Sequence, residues 1–433
     1  MSLAKVLLKK GRANPVWRGH PWVYSGAVQR TVGPCEPGDL VEVHDAEERL
    51  IGHGLFNPRS QIAVRMLTLG ALPPAADVAE HALPPGLKAP PAEEARALSA
   101  LIERRVHEAA ALRRRLGLPS PEPGRETDAY RLVNAEGDGL PGVIIDRFGP
   151  VAAVQFTALG MKRNEAAVFS ALRSLPEPFR PQGIVEAQGG SFAQVEGFSA
   201  QARVVSWSGD AASQAAVLDG KGGVPCVEGG VQLSVDVRGG QKTGMFLDQR
   251  DNRRLLGQLC RGARVLDVYS YAGGFALQAL KHGAAEATCV DSSARALQLA
   301  QGHAERNQLG PLHTIEADAF RFLEGAAPLA YDVVVVDPPK FARAQKDLPA
   351  ALKGYQRLNA LALNTVVPGG LLASCSCSQL VDEESFERML AAAALDAGRR
   401  ITVLHRGSQG PDHPVPPAFP EGRYLKFLLL GVS

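Results

Sequence analysis

Val333-Val334-Val335-Val336-Asp337-Pro338-Pro339-Lys340-Phe341 decides how the chain is read. Four consecutive β-branched residues describe a strand buried on both faces, as found inside a parallel sheet. The strand ends at Asp337, because neither proline donates a ladder hydrogen bond and each fixes its own φ. A carboxylate is thereby left at the carboxyl end of a buried strand, where open α/β sheets bind ligands. An ordinary strand ending in a proline turn would look the same. The surrounding sequence has to separate the two.

Around this stretch, apolar runs at 263–269, 287–291, 313–317, 333–337 and 370–377 alternate with helical patterns at about 273–282, 293–308, 318–325 and 349–367. That alternation predicts a doubly wound, mostly parallel α/β sheet of the Rossmann-like kind. Two late runs, 401–405 and 424–430, extend it to seven strands. The segment Arg264-Val265-Leu266-Asp267-Val268-Tyr269-Ser270-Tyr271-Ala272-Gly273-Gly274-Phe275 is a strand, an acid near its end and a small-residue turn opening a helix. It has neither the GxGxxG spacing nor a Gly-Lys-Ser/Thr phosphate cradle, so a nucleoside ligand without a polyphosphate fits best. Asp267 can accept from a ligand ammonium, and Gly273 and Gly274 let a ligand approach the backbone. Asp291, followed by Ser292, can take both ribose hydroxyls. Asp318, followed by Ala319, can accept from an adenine amine. With Asp337, four strands end in acids, which one structural accident does not explain.

Upstream, residues 1–72 form short strands punctuated by glycine and proline, the pattern of a small β-barrel. Residues 73–125 give a Pro/Ala-rich linker and a helix over 92–116, in which Arg104-Arg105 and Arg113-Arg114-Arg115 read as a solvated face, with RNA contact as the alternative. Residues 126–228 describe strands, a helix at 162–175 and further strands, a small α+β unit. Residues 229–433 carry the chemistry.

Composition sets the outer bounds. With 45% apolar and 21% charged residues the chain has an ordinary soluble composition and enough apolar matter for several cores. No run of eighteen apolar residues predicts a membrane span, and the N-terminus has no signal-peptide pattern, so a cytoplasmic protein is expected. Cysteines at 35, 226, 260, 289, 375 and 377 form no CxxC pair and no zinc spacing, so neither disulfides nor a metal is expected. Net charge is only +2, yet Lys5, Lys9, Lys10, Arg12, Arg18 and Arg30 precede the first acid, Glu36. This basic start suits a phosphate-contacting face. Trp17 or Trp22, beside Arg12, Arg18 and His20, could stack on bases; burial in a barrel core is the competing reading for Trp22.

The motifs also carry a resemblance. Lys242-Thr243-Gly244-Met245-Phe246-Leu247-Asp248-Gln249-Arg250, the Asp337-Pro338-Pro339-Lys340-Phe341 run, Ser376-Cys377-Ser378, Asp412-His413-Pro414 and Pro420-Glu421-Gly422-Arg423-Tyr424-Leu425-Lys426 resemble the bacterial large-subunit ribosomal RNA cytosine-C5 methyltransferases of the I type. Gly11-Arg12 and Arg18-Gly19-His20-Pro21-Trp22-Val23 resemble that family's RNA-binding PUA barrel. The resemblance runs nearly end to end. It implies a PUA barrel, a small α+β domain and a class I catalytic domain, with S-adenosylmethionine as cofactor and ribosomal RNA as partner.

The family's chemistry implies roles for particular residues. Cytosine C5 becomes nucleophilic once a thiolate has added to C6. Ser376-Cys377-Ser378 matches the nucleophile triplet, so Cys377 is the expected nucleophile and Cys375 a packed core thiol. Asp337 would hold a proton at N3 and the exocyclic amine. Tyr269, Ser270, Gln249 and Arg250 join the expected cofactor set, and Lys242 could orient cofactor or phosphate, although a structural ion pair explains Arg250 equally well. Pro338, Lys340, His413 and Glu421 are expected near the base, the last two in a closing loop; scaffolding is their alternative role. Two other functions stay open: exocyclic-amine methylation through the Asp-Pro-Pro-Lys motif without a cysteine, and a non-catalytic RNA-binding or assembly protein. A homodimer is also open.

Overall fold

The computed structural model describes residues 3–73, 92–188, 190–211, 214–215, 223–238, 243–342 and 344–433. Most of the expected linker, and Lys242 with its turn, lie outside the described residues.

Six N-terminal strands form one sheet in the spatial order Trp22–Tyr24, Ile62–Leu69, Leu50–Phe56, Leu40–His44, Ala4–Leu8, Val28–Val32. Its two edge strands are consecutive in the chain, separated only by Ser25–Ala27. Laid flat, six strands would hold their edges about 24 Å apart. A three-residue link spans at most about 14 Å. The sheet therefore curls around Val6, Leu8, Val41, Val43, Ile51 and Val64, which form its core. The six early basic residues all stay exposed.

The helix Ala92–Arg115 buries Leu98, Leu101, Ile102, Val106 and Ala109, spaced three or four apart, against a second sheet. Arg104, Arg114 and Arg115 are solvated as expected. Arg113 corrects that reading: it is fully buried, donating to the Asp138 carboxylate and to the carbonyls of Arg131 and Asp412. Arg105 likewise turns inward, donating to the carbonyls of Leu67 and Gly139.

The second sheet runs Arg203–Trp207, Gly183–Glu186, Val151–Phe156, Val143–Phe148, Ala129–Asn134. Only Val151–Phe156 and Gly183–Glu186 are parallel. A parallel neighbour requires a crossover. Leu159–Arg163 and Glu165–Ser174 supply it, so the single helix expected at 162–175 is two helices meeting at Asn164. A hairpin, Val224–Glu228 with Val231–Val235, follows; Gly229 and Gly230 turn it at φ +56° and +75°.

The third sheet has seven strands: β1 (Arg264–Val268), β2 (Glu286–Asp291), β3 (Leu312–Glu316), β4 (Tyr331–Val336), β5 (Val366–Ser376), β6 (Ile401–Gly407) and β7 (Lys426–Val432). Their spatial order is β3-β2-β1-β4-β5-β7-β6, with β7 antiparallel to both neighbours. Helices Gly274–Lys281, Ala294–Arg306, Ala319–Gly325, Leu348–Thr365 and Glu383–Asp396 connect the strands. Alternation splits β4 between two cores: Val334 and Val336 face one side, Val333 and Val335 the other. Val268 is level with both Val290 and Val336, and Val336 with Ser374. The carboxyl ends of β1, β2, β4 and β5 therefore meet along one rim.

Candidate active site

The rim begins with the turn after β1. Tyr269, Tyr271 and Gly273 adopt φ of +63°, +48° and +78°. Left-handed backbone at two tyrosines is costly and persists only where the surroundings fix it. Here the amides of Tyr269 and Ser270 both donate to the Val290 carbonyl, and that of Gly273 to Ser270. Tyr271 N–H donates to the Asp291 carboxylate at 2.9 Å. Gly273 has a further reason to lack a side chain: a Cβ there would stand 2.9 Å from Ala300.

Asp267 lies beneath this turn, 1% exposed. One oxygen accepts from Ala276 N–H at 3.1 Å; the other, Oδ1, is buried without a hydrogen-bond partner. Burial pushes the carboxyl up to about 7, with Asp337 and Asp291 adding repulsion against the pull of Ala276 N–H and Arg253. Asp291 uses its second oxygen on Ser293 N–H. Asp318 caps the helix Ala319–Gly325 by accepting from Arg321 N–H, and Ala319 is buried behind it. Ser292 and Asp318 are exposed, whereas Ser270 is buried and Tyr269 half-buried.

Asp337 follows β4 and accepts from Gln249 Nε2 at 3.0 Å; Gln249 is itself fixed by Asn252, whose amide donates to Oε1 at 2.7 Å. Pro338 is buried and Lys340 exposed. Arg250 turns elsewhere. Its guanidinium makes a two-pronged buried bridge to Asp412, with Nη1 at 2.7 Å, the structural alternative named from sequence. That bridge and the neighbouring His413 hold the Asp412 carboxyl far below the usual range, outweighing its burial.

Cys377 lies one residue past β5 and is half-buried. Its orientation follows from its neighbours. Ser376 Oγ donates to Tyr355 OH at 3.1 Å, and Ser378 Oγ meets the same hydroxyl at 3.0 Å. Both serines are thus tied inward to the helix Leu348–Thr365, leaving the thiol between them as the side chain of the triplet that reaches the surface. Cys375 is enclosed, and burial pushes its thiol well above the ordinary value.

The expected substrate residues divide. Arg12 and Arg18 are exposed on the barrel. Trp22 lies in a seam: its indole N–H donates to Glu136 at 2.8 Å and its ring meets Phe419 edge-on, centroids 4.6 Å apart. Glu421 accepts from His20 and from Tyr24 OH in the same seam. His413 is buried against Asp412. Sequence reasoning missed Lys426, whose ammonium lies beneath the Cys377 turn. Lys426 closes the Pro420–Lys426 motif quoted from the sequence, but nothing local in that run shows its ammonium folding under Cys377.

Residues 6–69 match the PUA-like domain family, and residues 203–418 match the S-adenosylmethionine-dependent methyltransferase family. The ribosomal RNA large subunit methyltransferase I of Klebsiella pneumoniae strain 342 is 35% identical over 431 residues, covering 98% of this chain and 96% of that relative. Its namesake in Aeromonas hydrophila is also 35% identical, covering 99% of each. The chain belongs to the ribosomal RNA large subunit methyltransferase I family. In fold, this family member superposes over 99% of its length on SMU.776 complexed with SAH, at TM-score 0.76 and 19% identity. A Streptococcus mutans structure gives TM-score 0.75 at the same identity. The family's cofactor is S-adenosylmethionine, and the orphaned Asp267 Oδ1 fits it: a buried acceptor without a partner is costly, and a ligand ammonium would satisfy it. Among the described residues, no cluster of three metal-ligating side chains occurs, and no helix is long and apolar enough to cross a membrane.

Proposed function

We propose that this family member methylates carbon 5 of a cytosine in large-subunit ribosomal RNA, with Cys377 as covalent nucleophile. The supporting observation is the juxtaposition of two strand ends. Val336 is level with Ser374, so Asp337 and Cys377 leave adjacent strands at one rim, and the paired serines present the thiol there. The family name and the PUA-like barrel with its exposed basic residues support ribosomal RNA as substrate, and with it a cytoplasmic location.

In this reading the bound cofactor supplies the methyl group. Asp267, Asp291 and Asp318 hold its ammonium, ribose and adenine edges. The Cys377 thiolate adds to C6, and the displaced electron pair reaches N3, where Asp337 delivers and holds a proton. C5, now enamine-like, takes the methyl group. Loss of the C5 proton to a base breaks the C6–Sγ bond and expels the Cys377 thiolate, N3 returns its proton to Asp337, and the ring is restored. Gln249 fixes Asp337 at the base edge.

Nucleoside mass spectrometry on unmodified large-subunit RNA, incubated with protein and S-adenosylmethionine, tests this. 5-Methylcytidine supports it. An N-methylated base overturns it and assigns the chemistry to Asp337-Pro338-Pro339 without a cysteine.

A further inference from the structure

Lys426 opens β7 directly opposite Ser376 and is only 5% exposed. Its ammonium donates to the Ser378 carbonyl at 2.6 Å and to the Tyr424 carbonyl at 2.8 Å. Ser378 follows Cys377, so a positive charge is fastened to the turn that carries the thiol. Among the described residues no carboxylate lies within salt-bridge distance of this ammonium; it has two carbonyls for partners. A buried cation held this way is expensive unless an anion stands near it. Cys377 is the ionisable side chain that acts on it most strongly, ahead of Glu383, Lys340 and Asp382.

We propose that Lys426 is the resident counter-cation of a Cys377 thiolate, a positioning residue that keeps the nucleophile ionised before RNA arrives. This rests on the reading of Cys377 as nucleophile. A thiol beside a fixed ammonium gives up its proton to solvent at lower pH than a free cysteine. Among the described residues, Lys340 and Asp382 face the pair from the loops around it, Glu383 from the start of the helix Glu383–Asp396, Tyr355 from the helix Leu348–Thr365, and Cys375 from the strand below. Burial raises both the Tyr355 hydroxyl and the Cys375 thiol, which keeps them neutral. Burial also pulls the Lys426 ammonium down to about 8, against the opposing pull of Cys377. The pair is therefore charged over a window bounded above by loss of the lysine proton.

The test is the rate of iodoacetamide alkylation of Cys377 in the full chain from about pH 5 to pH 10, read by peptide mass spectrometry, for wild type, Lys426→Met, Lys426→Gln and Lys426→Arg. The wild-type midpoint is expected about one unit or more below the ordinary cysteine value of about 8.5. Lys426→Met should raise it by about one unit, slowing alkylation about tenfold at pH 7; Lys426→Gln, which keeps a donor for the carbonyls, should do the same, and Lys426→Arg should restore it. S-adenosylmethionine binding verifies that each variant is folded. A midpoint unchanged in folded Met or Gln variants overturns the proposal. A wild-type midpoint at or above the ordinary value overturns it whatever the variants do. Alkylation requires no methyl transfer, so absence of 5-methylcytidine would refute the proposed function and leave a Lys426-dependent midpoint standing.

Discussion

His20 and Glu421, 401 positions apart in the chain, meet at 3.3 Å across the seam between the N-terminal barrel and the late loop before β7. The carboxylate is one-third exposed, and such ion pairs contribute little. The aromatic contact of Trp22 with Phe419 is the stronger tie. Glu421→Gln should lower stability in urea unfolding by less than about 1 kcal/mol. Trp22→Ala, which empties the place against Phe419 and leaves Glu136 without its indole donor, should cost about 3 kcal/mol. Equal losses would mean that charge rather than packing holds the seam.

Asp412 accepts from the Arg250 guanidinium, from Arg131 N–H at 3.0 Å and from His413. Asp412→Ala strands a buried cation and should cost about 3–5 kcal/mol, measured by urea unfolding. Because the carboxyl is held far below its ordinary value, its contribution is complete above the unfolded value of about 4 and declines only at more acidic pH. Removing it should thus change stability equally at pH 6 and pH 8.

Asp267 behaves in the opposite sense. Its folded value, near 7, lies above the unfolded one, so the stability linked to its proton is present at low pH and lost as pH rises through about 7. Without cofactor, wild type should gain thermal stability relative to Asp267→Asn as pH falls from about 8 to 6. In the proposed site the cofactor's ammonium pairs with the ionised form, so S-adenosylmethionine affinity should fall toward tenfold per unit below about pH 7 in calorimetry. A pH-independent affinity would remove Asp267 from the cofactor site.

The two neighbouring cysteines should separate cleanly. Cys377→Ala should reduce 5-methylcytidine formation by on the order of 10³-fold or more while binding S-adenosylmethionine normally. Cys375→Ala should stay within about tenfold of wild-type rate and lose about 1 kcal/mol of stability, the cost of a small buried side chain. Mass spectrometry of the product nucleosides and urea unfolding distinguish the two.

The catalytic sheet was legible because its signals are local. Four valines, an acid and two prolines mark β4 to within two residues, and Ser293 and Asp318 cap the helices expected after β2 and β3. Two omissions also had local signals. Gly229-Gly230 between apolar runs marked the hairpin, and Asp382-Glu383-Glu384 marked the start of the helix Glu383–Asp396. The remaining misses depend on distance. Arg113 sits in an arginine-rich helix whose exposed neighbours gave no hint that its own guanidinium turns inward to Asp138, 25 residues on, and to the Asp412 carbonyl, 299 residues on. The same holds for Lys426, whose burial depends on a neighbouring strand.

Asp412 bears on how the protein is made. Its carboxylate and carbonyl receive Arg131 from the middle sheet, Arg113 from the long helix and Arg250 from the start of the catalytic half. All three arginines leave the ribosome well before it does. Chains fold from their N-terminus as they are synthesised, so the Arg113 and Arg131 guanidinium groups can pair early with Asp138 and Asp146, whereas that of Arg250 waits for the late loop to emerge. The last buried anchor is set from the far end: a chain stalled before position 412 would have β1 to β6 and the apolar core that joins the middle sheet to the catalytic half, yet leave the Arg250 guanidinium without the Asp412 carboxylate.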